Sequence, residues 1–203
     1  MFPEPIVERV VDGVRSQNPD RQKRRSQMIE NNILRVNNEG KKALVFNLAF
    51  PSLHLVEMAA HVGFEAINID GEHVYFNEHD VDDICRVANG YDMSVTARVP
   101  DSAAYQINLY LDRGVQGITG LHINSPEEAQ DLADACLFPP HGNRSWGEGR
   151  GTEFDDDRVL NERYGGKLAF AKWSNQNMLV WTQMESKEAW GCSSRYPGAG
   201  ILS

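Results

Sequence analysis

Apolar positions along this chain alternate between two periods. The segment Ala43-Leu44-Val45-Phe46-Asn47-Leu48-Ala49-Phe50 is a nearly continuous apolar run, the pattern of a strand buried on both faces of a parallel sheet. Pro51-Ser52 and helical spacing follow as far as Val62, where Gly63 stops the helix. The same strand-then-helix order recurs three more times. Strands are expected over Glu65 to Asp70, Ser94 to Val99 and Gly117 to Leu121, with helices near Asp80 to Asn89, Ala103 to Arg113 and Pro126 to Ala135. A repeat of about 25 residues marks βα units. Ser125-Pro126-Glu127-Glu128 strengthens the last helix start, because Ser can cap, Pro suits the first helical position and Glu sits three residues after the cap.

Outside these units the pattern changes. Residues 1–24 are polar, with turn signals at Asp12-Gly13 and Asn18-Pro19-Asp20, and read as an N-terminal arm. From Arg25 to Asn37, Met28, Ile29, Ile33, Leu34 and Val36 suit an amphipathic helix ended by Asn38-Glu39-Gly40. Residues 137–177 lose the period through Pro139-Pro140 and repeated glycines, and predict a long connection with one short helix. A fifth strand, Met178 to Glu185, is apolar and ends in polar residues. The domain is therefore expected over 25–189, with an atypical tail over 190–203.

The 203 residues carry a formal net charge of −9 and an isoelectric point near 5.1, which repel polyphosphate and argue against nucleic acid as a partner. The basic cluster Arg21, Lys23, Arg24 and Arg25 reads as a solvated helix face. Cys85, Cys136 and Cys192 have no metal-ligand spacing and leave an odd number, which suits free thiols in a reducing compartment. No segment has the ~20 apolar residues of a membrane span, so no membrane association and a cytoplasmic location are expected. Glu78-His79-Asp80 and Asp155-Asp156-Asp157 read as helix starts. Gly147-Glu148-Gly149-Arg150-Gly151 follows no strand and lacks the Lys-Ser/Thr ending of a phosphate loop.

The candidate chemistry sits at strand ends. Asp70, Arg98 and Glu185 each close an expected parallel strand, and His73 falls in the loop just after one. In β/α barrels this rim is where catalytic side chains converge. Any one of the four is ordinary in isolation, as a surface His or a structural ion pair. Their convergence on one rim is what points to a site.

These residues also carry a resemblance. Ile69-Asp70-Gly71-Glu72-His73, Ala97-Arg98-Val99-Pro100, Leu111-Asp112-Arg113-Gly114-Val115-Gln116-Gly117, Ser125-Pro126-Glu127-Glu128-Ala129, Phe138-Pro139-Pro140-His141-Gly142-Asn143-Arg144 and Gln183-Met184-Glu185 stand in an order that resembles the HpcH/HpaI aldolase/citrate lyase family, with its macrophomate synthase-like branch as a candidate relative. The match runs from Lys42 to Ala189. It implies a TIM (β/α)8-type barrel of the phosphoenolpyruvate/pyruvate type, with about the first five strands present. It further implies a metal-dependent carbon–carbon lyase acting on 2-oxo acids such as pyruvate or oxaloacetate, by aldol cleavage or addition through a pyruvate enolate or by decarboxylation. Homo-oligomers, hexamers in the family, are implied as well.

Residue roles follow from the same resemblance. Glu185 matches a ligand of Mg²⁺ (or Mn²⁺ or Co²⁺), whose second carboxylate in the family is an aspartate on the next strand. Arg98 matches the arginine that neutralises the keto oxygen as it becomes an enolate, and Gln183 is expected to orient Arg98 or the substrate. His73 with Asp70 matches an acid/base pair in which the carboxylate fixes the imidazole. Glu72 is expected to help order water at the metal, and Arg144 matches a glycine–arginine element that reads first as rim structure. After Ala189 the run Trp190-Gly191-Cys192-Ser193-Ser194-Arg195-Tyr196-Pro197-Gly198 is unsuited to the helix the family continues there, since Gly and Pro weaken helices, Pro by ~3 kcal/mol. The expectation is a chain truncated or altered at its C-terminal end, and the alternative to an enzyme is an inactive partial barrel acting only through subunit association.

Overall fold

The computed structural model describes residues 28–192; the N-terminal arm, the basic cluster at 21–25 and the tail from Ser193 onward lie outside the described residues. Four βα units and a fifth strand are laid down in sequence order. They are β1 (Val45–Leu48) and α2 (Leu53–Val62), β2 (Ala66–Asp70) and α3 (Glu78–Gly90), β3 (Ser94–Arg98) and α4 (Ala104–Asp112), β4 (Gly117–Gly120) and α5 (Pro126–Cys136), and then β5 (Leu179–Thr182). A short helix α1 (Asn32–Asn38) precedes them and α8 (Lys187–Cys192) follows. All five strands are parallel and neighbours in the sheet are neighbours in sequence, β1-β2-β3-β4-β5. That order is the staved wall of a β/α barrel, here over five strands.

The register sorts the side chains onto two faces. Leu48, Ile69, Ala97, Ile118 and Val180 share one row, and with Ile67 and Val95 they pack against the helices as the main core. The alternate positions face the other way, as the two-residue strand period requires. Asn47, Asn68, Thr96 and Gly117 form one row there. Thr96 Oγ1 donates to Asn68 Oδ1 at 2.9 Å, and Asn68 Nδ2 donates to Asn47 Oδ1 at 2.8 Å. One step nearer the C-terminal ends, Asp70, Arg98, Thr119 and Trp181 form the next row.

The first strand departs from its expected double burial. Val45 is 38 % exposed and Asn47 is exposed, while Phe46 and Leu48 pack on the helix side. Among the described residues β1 pairs only with β2, so its other edge is unpaired. Apolar composition alone could not distinguish an edge from a centre.

The connection after α5 is more ordered than its glycines and prolines suggest. It holds a 3-10 turn (Arg150–Asp155) and two helices, α6 (Asp157–Tyr164) and α7 (Lys167–Gln176). These elements build a second core, in which Met28, Phe138, Leu160 and Phe170 are buried and Trp146, Tyr164 and Trp173 pack around them. Burying a side chain of Phe size is worth ~2–3 kcal/mol, enough to organise a loop of this length. Glu153, 2 % exposed, ties this core to the N-terminal end of the described chain. It accepts from the Met28 main-chain N–H at 3.0 Å, from Arg163 Nη1 at 2.6 Å and from the Tyr164 hydroxyl at 2.6 Å.

Helix α1 closes the strand N-terminal ends through amides. Asn31 Nδ2 donates to the carbonyls of Gln116 and Asn177, and the Asn32 main-chain N–H donates to Ser94 Oγ. Helix starts fall where the sequence reads them: Ser125 accepts from Glu128 N–H, Asp156 caps α6, and α3 begins at Glu78 behind a capping box that Asn77, not read as a cap from the sequence, forms with Asp80. At the other end, α8 continues through Trp190-Gly191 to Cys192, where a break after Ala189 was expected. One glycine in a last turn costs only ~1 kcal/mol, and burial of Ala189 holds the helix on the core.

Candidate active site

Strand pairing carries Asp70 and Arg98 to the same level, side by side and on the same face. The chain then crosses the end of β3, because Gly71 N–H donates to the Arg98 carbonyl at 2.8 Å. A Cβ on residue 71 would stand 2.8 Å from that oxygen and 2.9 Å from the Tyr110 hydroxyl, so only glycine fits this crossing. It delivers Glu72 and His73 to the rim.

Arg98 is the centre of the cluster. Its Nε donates to Asp70 Oδ1 at 2.9 Å and its Nη2 to Asp70 Oδ2 at 2.5 Å, a two-pronged contact that fixes the guanidinium plane. Its Nη1 lies 2.9 Å from Glu72 Oε2 and donates to Gln183 Oε1 at 3.4 Å. Partial burial raises the Asp70 carboxyl pKa, but the Arg98 hydrogen bond and the main-chain N–H groups of His73 and Glu72 outweigh it, leaving Asp70 below the ordinary carboxylate value. The Asp70 contact in turn holds the Arg98 pKa above its ordinary value.

His73 is placed differently from the expected pair. Asp70 Oδ1 meets it through the main-chain N–H at 3.3 Å, while the exposed imidazole has Nε2 3.6 Å from Glu72 Oε2. Arg98 outcompetes the ring because it offers Asp70 two parallel charged donors from the adjacent register position. Glu185, just beyond β5, accepts from Gln183 Nε2 at 2.7 Å. Arg144 stands apart from this cluster. It is 4 % exposed, lies over the Phe138 ring at 4.4 Å and is 3.9 Å from Asp112, at the end of α4 that leads back to the start of β4. Burial pulls its pKa down to about 10.

One residue of the cluster escaped the sequence reading. His122, in the loop after β4, places Nε2 3.4 Å from Glu72 Oε1 and Nδ1 3.3 Å from Glu185 Oε2. Its backbone is left-handed, with φ at 49°, and its loop is tied down on both sides. Ile123 N–H donates to the Gln183 carbonyl at 3.1 Å, Asn124 Nδ2 donates to the His122 carbonyl at 2.7 Å, and Leu121 N–H donates to Ser102 Oγ at 3.3 Å. The signal was available, since His122 follows a strand end as His73 does.

Among the described residues no group of three or more His, Cys, Asp and Glu side chains is arranged to hold a metal ion. Glu72 and Glu185, on either side of His122, offer hard carboxylate oxygens of the kind that suit a divalent cation.

No protein-family model matches the chain. A 4-hydroxy-2-oxovalerate aldolase of Rhodococcus jostii is 32% identical over 117 residues, covering 57% of this chain and 45% of the relative. The solved HpcH/HpaI aldolase of Desulfitobacterium hafniense superposes with a TM-score of 0.71 at 20% identity, over 82% of this chain and 63% of that one. The resemblance to the HpcH/HpaI aldolases holds. Solved macrophomate synthase gives a TM-score of 0.72 at 20% identity, over 85% of this chain and 60% of that one. The fold is accordingly that of the aldolase barrels, in part. The chain spans about half the length of the curated relatives it matches. Among the described residues no helix is long and apolar enough to cross a membrane.

Proposed function

We infer that this chain carries the site of a divalent-metal-dependent carbon–carbon lyase acting on 2-oxo acids such as pyruvate or oxaloacetate. The observation that carries the reading is the guanidinium of Arg98, fixed by Asp70 and presented between Glu72 and Gln183 at the strand C-terminal ends. A fixed planar cation at that position is suited to a keto oxygen on which negative charge develops as a carbon–carbon bond breaks. Gln183 orients Arg98 through Oε1 and Glu185 through Nε2, so it couples the cation to the carboxylate.

Glu185 would hold Mg²⁺, Mn²⁺ or Co²⁺, and Glu72 would help to order water at the ion. When bound, such an ion supplies Lewis-acid polarisation of a keto oxygen. His73, exposed at the rim, is free to move a proton at the carbon that gains or loses its partner, with water as relay. Association into a homo-oligomer and a cytoplasmic setting belong to the same reading; the free, buried thiols of Cys85 and Cys136 suit a reducing compartment.

The test is oxaloacetate decarboxylation by the purified chain with Mg²⁺ and then with a chelator. Metal-dependent turnover that disappears in Glu185→Ala supports the reading. A folded chain without turnover would leave an inactive partial barrel that acts only through subunit association.

A further inference from the structure

Alternation along β5 assigns a face to each of its side chains. Met178, Val180 and Met184 pack on the main core, on the helix side. Leu179 and Gln183 face the other way: a Cβ on Gly117 would stand 3.2 Å from Leu179 Cβ, and Gln183 Oε1 accepts from Arg98 Nη1 at 3.4 Å. Trp181 lies between those two and therefore shares their face. Its register partner is Thr119, which is level with Arg98, which in turn is level with Asp70. The largest side chain of β5 is thus on the row of the fixed guanidinium, two strands away, or about 10 Å from backbone to backbone.

The strand between them leaves room. On this face β4 carries only Gly117 and Thr119, since Ile118 is in the core and a Cβ on Gly120 would meet Leu132. The hollow over β4 is bounded by Arg98 on one side and by the β5 side chains on the other. Trp181 is only partly buried, directly beneath Gln183 along the strand. We propose that Trp181 is the specificity-determining floor of the site: its indole stops a 2-oxo acid from extending below the level of Arg98, so that only acids with a short, unbranched alkyl end fit. A ligand whose keto oxygen meets Arg98 can extend outward to the rim or inward past Thr119, and the indole blocks the inward course. This inference rests on the 2-oxo acid reading above.

The test compares pyruvate with 2-oxo-3-methylbutanoate, which is branched at C3, by titration calorimetry of the whole chain with Mg²⁺ in wild type, Trp181→Leu, Trp181→Phe and Arg98→Ala. Wild type should prefer pyruvate. Trp181→Leu should move the ratio of the two dissociation constants toward the branched acid by at least about tenfold, the scale of one or two carbons in an apolar pocket. Trp181→Phe should move it less in the same direction, and should lose the change in tryptophan emission that pyruvate causes in wild type. An unchanged ratio in both Trp181 variants, with pyruvate binding lost in Arg98→Ala, overturns the floor and leaves the 2-oxo acid reading standing. If Trp181→Leu does not fold, an unchanged ratio in Trp181→Phe overturns it equally. Wild type that binds neither acid overturns both.

Discussion

Replacing Asp70 by Asn tests the central ion pair of the site with little change in volume. Asn retains one carbonyl oxygen, which can still accept from Arg98 Nε and from the main-chain N–H groups of Glu72 and His73. Its amide nitrogen then faces Arg98 Nη2, where the wild type has a 2.5 Å charged contact, so one strong hydrogen bond becomes a donor–donor clash. A hydrogen bond to a charged group is worth about 1.5–3 kcal/mol, and this pair is partly shielded, with side chains 13% and 18% exposed. Glu72 remains on Arg98 Nη1, so the guanidinium is not left without a charge partner.

The expected loss is about 2 kcal/mol at pH 7, a fall in Tm of about 4–8 °C for a chain of this size. The pH dependence has a definite sign. The Asp70 pKa is held below its ordinary value, so its stabilisation is fully present above the unfolded carboxyl pKa, about 3.9, and is lost as pH falls through the lower folded value. The gap between wild type and Asp70→Asn should therefore begin to narrow below about pH 5 and close only once the pH has fallen through the lowered folded pKa of Asp70. Urea unfolding at a series of pH values measures it. A gap under about 0.5 kcal/mol at pH 7, or one that persists unchanged to pH 3, would refute the pairing argument.

Two further outcomes are expected. A Cβ on Gly151 would overlap the Leu111 carbonyl oxygen and press on Arg144, so Gly151→Ala should destabilise by about 1–3 kcal/mol, checked by thermal unfolding; a neutral result would mean that the loop over α4 packs more loosely than described. Burial pushes the Cys85 and Cys136 thiols up to about 12, so both should resist iodoacetamide until the chain is unfolded, as peptide mapping by mass spectrometry would reveal.

Much of the site was legible because the βα repeat places strand ends in sequence. Asp70 and Arg98 close two strands of that repeat and Glu185 follows a third, β5, which ends at Thr182, so their common rim follows from parallel pairing. The partners inside the rim were not legible. His73 reads as the natural mate of Asp70 at three residues' distance, yet Arg98, twenty-eight positions away, takes the carboxylate because register sets the two side by side. His122 was passed over because its contacts, Glu72 and Glu185, come from other strand ends. The aromatic core behind residues 137–177 was equally hidden, since Phe138, Phe170 and Trp173 have no common local period.

By itself the sequence determined the order of elements, the apolar rows that face the helices, the caps at Ser125 and Asp156, and the rim on which polar residues gather. These depend on neighbours within a few positions, through propensity, capping and periodicity. Tertiary structure decided which charges pair, that β1 is an edge, that Arg144 is buried away from the rim, and that His122 stands between two acids. Those outcomes depend on distances between segments far apart in the chain, which only the paired strands and their packed loops define.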